Sequence, residues 1–176
     1  MFFAVQPGFS RFTYLLQDAE RQPVGKLVWP DLALAMNSRL KGFVPEGLSQ
    51  TVALEYLGRA LTIEFEILGR SFGGNDYRFD LKEAGQVRAS ATVTQVPGWF
   101  QRPRIRITQP WPGDVLCARS LFSIRYEVTQ EDRPLGAVFE PFGFRLKREW
   151  TLEFPETVEP ATQFFLFFLV CNHAIR

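Results

Sequence analysis

Three arginines alternate with other residues in the segment WFQRPRIRITQPW, 99–111. Arg102, Arg104 and Arg106 are each separated by a single residue, so a β-strand would project all three guanidinium groups from one face. The planar fork of arginine suits phosphate and carboxylate groups. Aromatic side chains, which favour membrane interfaces, flank the arginines; they are Trp99, Phe100 and Trp111. The same pattern also fits the solvated face of an ordinary strand.

A second basic segment has the sequence RLKRE. Arg145 and Lys147 would lie on the polar face of a predicted strand and could extend the arginine patch. Arg148 falls on the apolar face, between Leu146 and Trp150. Because an unpaired buried charge is very costly, we expect an ion pair with a carboxylate, a bulge that shifts the register or a position at the mouth of a barrel. A less conservative hypothesis is that this arginine holds the acid group of a ligand.

Residue types that usually carry catalysis or bind metals are scarce. His173 is the single histidine, and Cys117 and Cys171 are far apart in the sequence. Neither a multi-histidine site nor a CxxC-type metal site can be built from them. The glycine-rich segment 69–75, GRSFGGN, lacks the Lys-Ser/Thr of a phosphate-binding loop and is typical of a hairpin turn. We therefore predict a protein that is not an enzyme and uses no cofactor or metal ion.

The composition indicates one globular domain. The chain has 176 residues, of which 46% are hydrophobic and 22% charged, as is ordinary for such a domain, so we expect residues 1–176 to fold as a unit. The net charge of +1 disfavours nucleic acid and leaves electrostatic binding to a local patch. The N-terminal residues do not resemble a signal peptide. Together with two free thiols, this predicts a cytoplasmic location, with peripheral association at a membrane.

A phenylalanine-rich run, FFLFFLV, occupies residues 164–170. The uninterrupted apolar stretch ends at Cys171 and is much shorter than the ~20 residues of a membrane-spanning helix. Pro160 suits the first turn of a helix, and acidic residues before the run and basic residues after it complement the helix dipole. A helix that is apolar on every face must be surrounded by other structure. We predict a buried helix over about residues 158–174, with shallow membrane insertion as the alternative.

Most of the remaining sequence alternates apolar and polar residues, as antiparallel strands with one polar face do. The segments are 61–67, 87–93, 122–128 and the long stretch 142–154. The segment 31–42, DLALAMNSRLKG, fits either a short helix or a strand pair.

A weak internal repeat suggests how these strands are connected. Three segments share a pattern of strand, polar turn, glycine and returning strand; they begin at Tyr14, Tyr77 and Tyr126. Each reads as a hairpin whose glycine lies in the turn or at the start of the returning strand; these glycines are Gly25, Gly85 and Gly136. Many hairpins followed by one apolar helix predict a mainly β fold, a closed antiparallel barrel that encloses the C-terminal helix.

Several of these segments resemble the tubby C-terminal-like superfamily, and within it the LURP-one-related proteins and the phospholipid scramblases. They are the hairpin YEVTQEDRPLGAV, the stretch GFRLKREWTLEFP and the terminal PATQFFLFFLVCNHAI. The resemblance implies a barrel of about twelve strands around a hydrophobic C-terminal helix. It also implies lipid binding, because tubby domains bind phosphoinositides and scramblases act on phospholipids. The calcium-binding loop and the cysteine-rich palmitoylated stretch of scramblases have no counterpart in this sequence.

These observations predict a non-enzymatic module that binds anionic phospholipid or phosphoinositide head groups. Its binding residues would be Arg102, Arg104 and Arg106, helped by Arg145 and Lys147. One alternative is a structural scaffold that binds a protein partner and no lipid. Another is a carrier or enzyme with a pocket inside the barrel. A phenylalanine-rich helix in the barrel would leave little room for such a pocket.

Overall fold

Alternation of apolar and polar residues produces strands along most of the described chain. The computed structural model describes residues 1–7, 13–29, 51–71, 74–96, 103–119, 123–141 and 148–174. The first six strands are β1 Phe2–Val5, β2 Thr13–Gln17, β3 Pro23–Val28, β4 Thr51–Tyr56, β5 Arg59–Ser71 and β6 Gly74–Glu83. The next six are β7 Gln86–Thr94, β8 Arg104–Gln109, β9 Gly113–Arg119, β10 Ser123–Gln130, β11 Arg133–Pro141 and β12 Glu149–Glu153. They are followed by one α-helix, α1, Pro160–Ala174.

The twelve strands in this part of the chain form one closed barrel. Each strand pairs with its neighbours in chain order, and β1 pairs with β12 to complete the ring. All of these pairings are antiparallel. The predicted mainly β, closed antiparallel barrel of about twelve strands is therefore confirmed.

This simple up-and-down order sorts the connections between strands into two ends of the barrel. The connections that follow even-numbered strands lie at one end, here called the turn end, and include the segment that leads from β12 into α1. The C-terminal ends of the odd-numbered strands lie at the opposite end. Among neighbouring strands in the described part of the chain, only β1 and β12 are far apart in the sequence.

The predicted apolar faces of the described strands are largely buried, although Ile67 on β5, next to a shift in the β5–β6 register, is 40% exposed. Leu61 and Ile63 on β5 have less than a tenth of their surface exposed, whereas Glu64 and Glu66 are more accessible. The same alternation holds on β7 and β10, where the buried residues include Ala89, Ala91, Val93, Tyr126 and Val128. The core therefore lies on one side of every strand, as the two-residue periodicity predicts.

The long predicted strand 142–154 is described only from residue 148 onwards. Its described part is β12, Glu149–Glu153, and residues 142–147 lie outside the described residues. Trp150 and Leu152 are buried, as predicted. The ambiguous segment 31–42 also lies outside the described residues.

The C-terminal helix begins at Pro160 rather than at residue 158. The proline has no N–H to leave unpaired in the first turn, and the backbone N–H of Gln163 donates to the carbonyl of Glu159 at 3.1 Å. Every residue from 161 to 172 is buried. No exposed face is therefore left on residues 161–172, which agrees with the apolar run 164–171 within them.

Three phenylalanines of α1 contact aromatic rings on several strands. The ring centroid of Phe167 lies 5.0 Å from that of Tyr14 on β2 and 6.1 Å from that of Trp150 on β12. Phe164 contacts Phe2 on β1 and Tyr56 on β4, and Phe168 contacts Phe79 on β6. Most of these pairs are edge-to-face, the geometry that the ring quadrupole favours.

The hairpin glycines differ in role. Gly85 lies in the turn between β6 and β7 with a φ of +79°, next to Ala84 at +48°, as a type I′ turn requires. Gly25 and Gly136 instead lie within the returning strands β3 and β11. A Cβ atom at Gly25 would collide with the backbone carbonyl oxygen of Glu55 on β4. Close approach of a neighbouring strand, rather than a turn, therefore requires glycine there.

Substitution Gly25→Ala should destabilise the protein by about 1–3 kcal/mol, because the added methyl group must push apart two paired strands. The matched control is Gly69→Ala on β5, where an added Cβ would meet no heavy atom within 4 Å. Urea denaturation of both variants measures the difference. Equal stability of the two variants would contradict the close contact at Gly25.

Substitution Phe167→Ala should lower the free energy of unfolding by about 3–5 kcal/mol, because it leaves a cavity between α1 and two strands. Leu57→Ala is the control, since Leu57 is 65% exposed in the β4–β5 turn. We expect the control to stay within about 0.5 kcal/mol of the unmodified protein in the same denaturation experiment. A small loss for Phe167→Ala would contradict the tight packing of the helix.

Candidate functional site

Two of the predicted arginines share the outer face of β8. Ile105 and Ile107 point into the core and are almost fully buried, so Arg104 and Arg106 must point outwards. Their side chains are 65% and 61% exposed. The prediction that these arginines share one solvated face is confirmed for Arg104 and Arg106, whereas Arg102 lies outside the described residues.

Both arginines approach the same carboxylate across the β8–β9 pair. Asp114 lies opposite Arg106 in the strand register. The Nε atoms of Arg104 and Arg106 each lie 3.7 Å from its Oδ1 atom. This distance allows electrostatic attraction but exceeds that of a hydrogen bond. Two positive charges thus share one negative charge, and their contact with it is loose.

The opposite flank of β8 adds no charge to this cluster. On β7, Thr94 pairs with Arg104 and Thr92 pairs with Arg106. Among the described residues, Asp114 is the one acidic side chain with which the two arginines form an ion pair. The terminal nitrogens of both guanidinium groups are therefore available to a ligand.

The backbone holds Asp114 in place. Its N–H donates to the hydroxyl oxygen of Thr129 at 3.3 Å, and the same hydroxyl donates to the carbonyl of Asp114 at 3.2 Å. The preceding Gly113 lies so close to the backbone of Thr129 that a Cβ atom would collide with its carbonyl oxygen. The carboxylate of Asp114 is held less firmly than its backbone, because the Oδ1 atom is buried and accepts no hydrogen bond.

An apolar residue lies beside this cluster on the same outer face. Leu116 is the next outward-facing residue of β9 after Asp114, since Val115 between them is buried. The leucine is 53% exposed. We call the outer surface formed by Arg104, Arg106, Asp114 and Leu116 the arginine face. It combines an excess of positive charge with one exposed apolar side chain.

Arg59 is engaged more tightly than the arginines of the arginine face. Arg59 donates two hydrogen bonds to the Glu83 carboxylate, at 2.7 and 2.9 Å, and a third to Glu159 at 2.9 Å. This network links the β4–β5 turn to the residue that precedes α1. Charge-assisted bonds of this geometry are strong and satisfy the guanidinium group. Arg59 therefore has a structural role.

Arg148 is also paired. It lies just before β12 and donates two hydrogen bonds to the carboxylate of Glu140, at 2.8 and 2.7 Å. The hydrogen bonds to Glu140 raise the pKa of Arg148 in spite of its partial burial. The prediction of an ion pair with a carboxylate is confirmed. Arg145 and Lys147, predicted to extend the basic patch, lie outside the described residues.

Cys117 and Cys171 form no disulfide bond. Cys117 is partly exposed, whereas Cys171 on α1 is buried and its thiol donates to the hydroxyl oxygen of Tyr14 at 3.3 Å. Burial raises the pKa of Cys171 to about 12. The described residues contain no group of three or more His, Cys, Asp or Glu side chains that could hold a metal ion. The side chain of His173 lies outside the description.

Sequence reasoning missed Asp114 and Leu116. Their position next to the arginines depends on the β8–β9 hairpin, in which Arg106 faces Asp114. The Pro-Trp-Pro-Gly segment that connects the two strands was a possible signal, because proline and glycine mark turns. Trp111 in this segment is partly buried against the core instead of extending the arginine face.

No protein-family model, curated protein or solved structure matches this chain. The described residues also include no helix with the length and hydropathy that are needed to cross a membrane.

Alkaline pH should destabilise the folded protein through Cys171. Its pKa is raised from 9.0 to about 12 on folding, so the folded protein retains a proton that the unfolded chain loses. The stabilising contribution is complete below about pH 9 and falls as the pH rises towards 12, by up to about 1.4 kcal/mol per pH unit. Urea denaturation at several pH values above 8 measures this slope. The slope should be shallower for Cys171→Ala; an unchanged slope would contradict the prediction.

Proposed function

We propose that this chain is a non-enzymatic module that binds anionic phospholipid head groups through the arginine face, and that its barrel encloses α1. The observation that carries the functional proposal is the loose sharing of one carboxylate, Asp114, by two exposed arginines at 3.7 Å. The arginines that secure the fold, such as Arg59 and Arg148, form close, hydrogen-bonded pairs. Arg104 and Arg106 do not.

The enclosure of α1 is supported by its burial and by its aromatic contacts. Residues 161–172 are all buried, and rings of α1 contact β1, β2, β4, β6 and β12. A helix that fills the barrel leaves no room for a substrate among the strands. This arrangement favours a ligand that binds on the outer surface over a carrier or enzyme with an internal pocket.

The charge of the arginine face suits a phosphate group. Two guanidinium groups and one carboxylate leave an excess of one positive charge, and the forked donors of arginine match phosphate oxygens. Each basic residue near an anionic membrane contributes about 1 kcal/mol to binding. Two arginines therefore support a weak, reversible association that salt should weaken further.

A lipid surface fits this face better than a free phosphate. Leu116 lies exposed beside the arginines, and an apolar side chain gains free energy when it leaves water for the membrane interface. Arg102 lies two residues before Arg104 in the sequence, and Arg145 and Lys147 precede β12; all three lie outside the described residues. We include these three residues in the proposed binding surface.

The proposal includes membership of the tubby C-terminal-like superfamily and a cytoplasmic location. The order of strands in the barrel and the apolar C-terminal helix support the first part. The second part follows from the proposed ligand, since anionic lipids are concentrated on the cytoplasmic leaflet of membranes.

The double variant Arg104→Ala/Arg106→Ala should lose about 30-fold in affinity for vesicles that contain phosphatidylserine, because two contributions of about 1 kcal/mol are removed. Vesicle sedimentation at low and physiological salt, with neutral phosphatidylcholine vesicles for comparison, measures the loss. Lys26→Ala/Arg133→Ala is the matched control, since it removes the same charge from two exposed positions outside the arginine face.

The control should bind nearly as well as the unmodified protein. An equal loss in both double variants would show that net charge, and not the arginine face, governs binding. If the unmodified protein binds neither kind of vesicle at either salt concentration, the lipid proposal is wrong and the scaffold with a protein partner takes its place.

A further inference from the structure

The arginine face contains a negative charge where an anionic ligand would bind. From this geometry we infer that Asp114 is an internal competitor, which holds Arg104 and Arg106 in the free protein and weakens their binding to anionic lipid. The inference rests on the proposed function and adds a residue that sets the affinity.

The contacts of Asp114 suit a partner that is easily displaced. It reaches both arginines through their Nε atoms at 3.7 Å, beyond hydrogen-bond distance. A ligand that forms true hydrogen bonds to the terminal nitrogens would replace a weak contact with stronger ones. The arginines could therefore change partners without any movement of the barrel.

Stability does not account for this carboxylate. Its Oδ1 atom is buried and accepts no hydrogen bond, and leaving a buried acceptor unpaired costs free energy. The fold depends instead on the backbone of Asp114, which is bound to Thr129. The carboxylate is thus dispensable to the hairpin, and its effect is on the two arginines.

Electrostatics gives the direction of the effect. With Asp114 ionised, the three charged groups sum to +1; with a neutral side chain of the same shape they sum to +2. Removal of this acidic residue from the site should therefore strengthen binding, which is the reverse of what removal of a ligand-binding residue does.

A second ion pair provides a matched control. Lys26 and Glu55 form a surface pair at 3.1 Å with both side chains about half exposed. They lie on β3 and β4, nearly opposite β8 in the ring of strands. Glu55→Gln removes the same charge as Asp114→Asn and also frees a cation. Any effect of net charge alone is therefore common to both variants.

The test compares Asp114→Asn, Glu55→Gln and the unmodified protein in sedimentation with vesicles of phosphatidylcholine and phosphatidylserine. We expect Asp114→Asn to bind about fivefold more tightly, the equivalent of about one additional basic residue, and Glu55→Gln to change by less than twofold. Near-ultraviolet circular dichroism checks that each variant is folded. Asp114→Ser is a second neutral variant if the asparagine variant fails to fold.

A double-mutant cycle completes the test. In the Arg104→Ala/Arg106→Ala background, Asp114→Asn should have almost no effect, because the groups for which it competes are absent. Equal gains for Asp114→Asn and Glu55→Gln, or a gain that persists without the arginines, would overturn the inference but leave the lipid proposal standing. Failure of the unmodified protein and of Asp114→Asn to bind vesicles would overturn both.

Discussion

Burial of the apolar helix α1 is the constraint on which the rest of this structure depends. Residues 161–172 are all buried, and a run as apolar as 164–171 must be covered by other apolar surface. That requirement accounts for the regular alternation along β5, β7 and β10. The polar groups on the helix are few, and one of them, the Gln163 amide, donates to the carbonyl of Val158 at 2.8 Å.

The proposed enclosure of α1 moves the available chemistry to the outer surface of the barrel. Most charged side chains there serve the fold: Arg59 is hydrogen-bonded to Glu83, and Arg148 to Glu140. The arginine face differs, because its cations share one carboxylate at a longer distance. Tight pairs secure the turns and strand ends, whereas a loose cluster can exchange its partner for a ligand. The contrast between these two kinds of ion pair separates structural arginines from candidates for function.

The fold could be predicted from the sequence because its two main signals are local patterns. One is the alternation of apolar and polar side chains along the strands, and the other is the run of apolar residues in the helix. The same alternation placed Arg104 and Arg106 on one outer face. Asp114 could not be found in this way, since it joins the arginines only through the register of the β8–β9 hairpin. The ion pair of Arg148 was predicted as a type of contact, but its partner Glu140 was not, because strand pairing again decides which carboxylate is near.

The pairing of β1 with β12 has a consequence for the synthesis of the protein. Phe2 and Leu152 are partners across this seam, so β1 must wait for β12 during synthesis. Until then the strands also lack their aromatic contacts with α1, because α1 is translated after β12. Closure is therefore a late step that depends on contacts distant in sequence, and such contacts make folding slow. A chain whose synthesis stopped before α1 would expose the apolar side chains of its strands to other proteins in the cell.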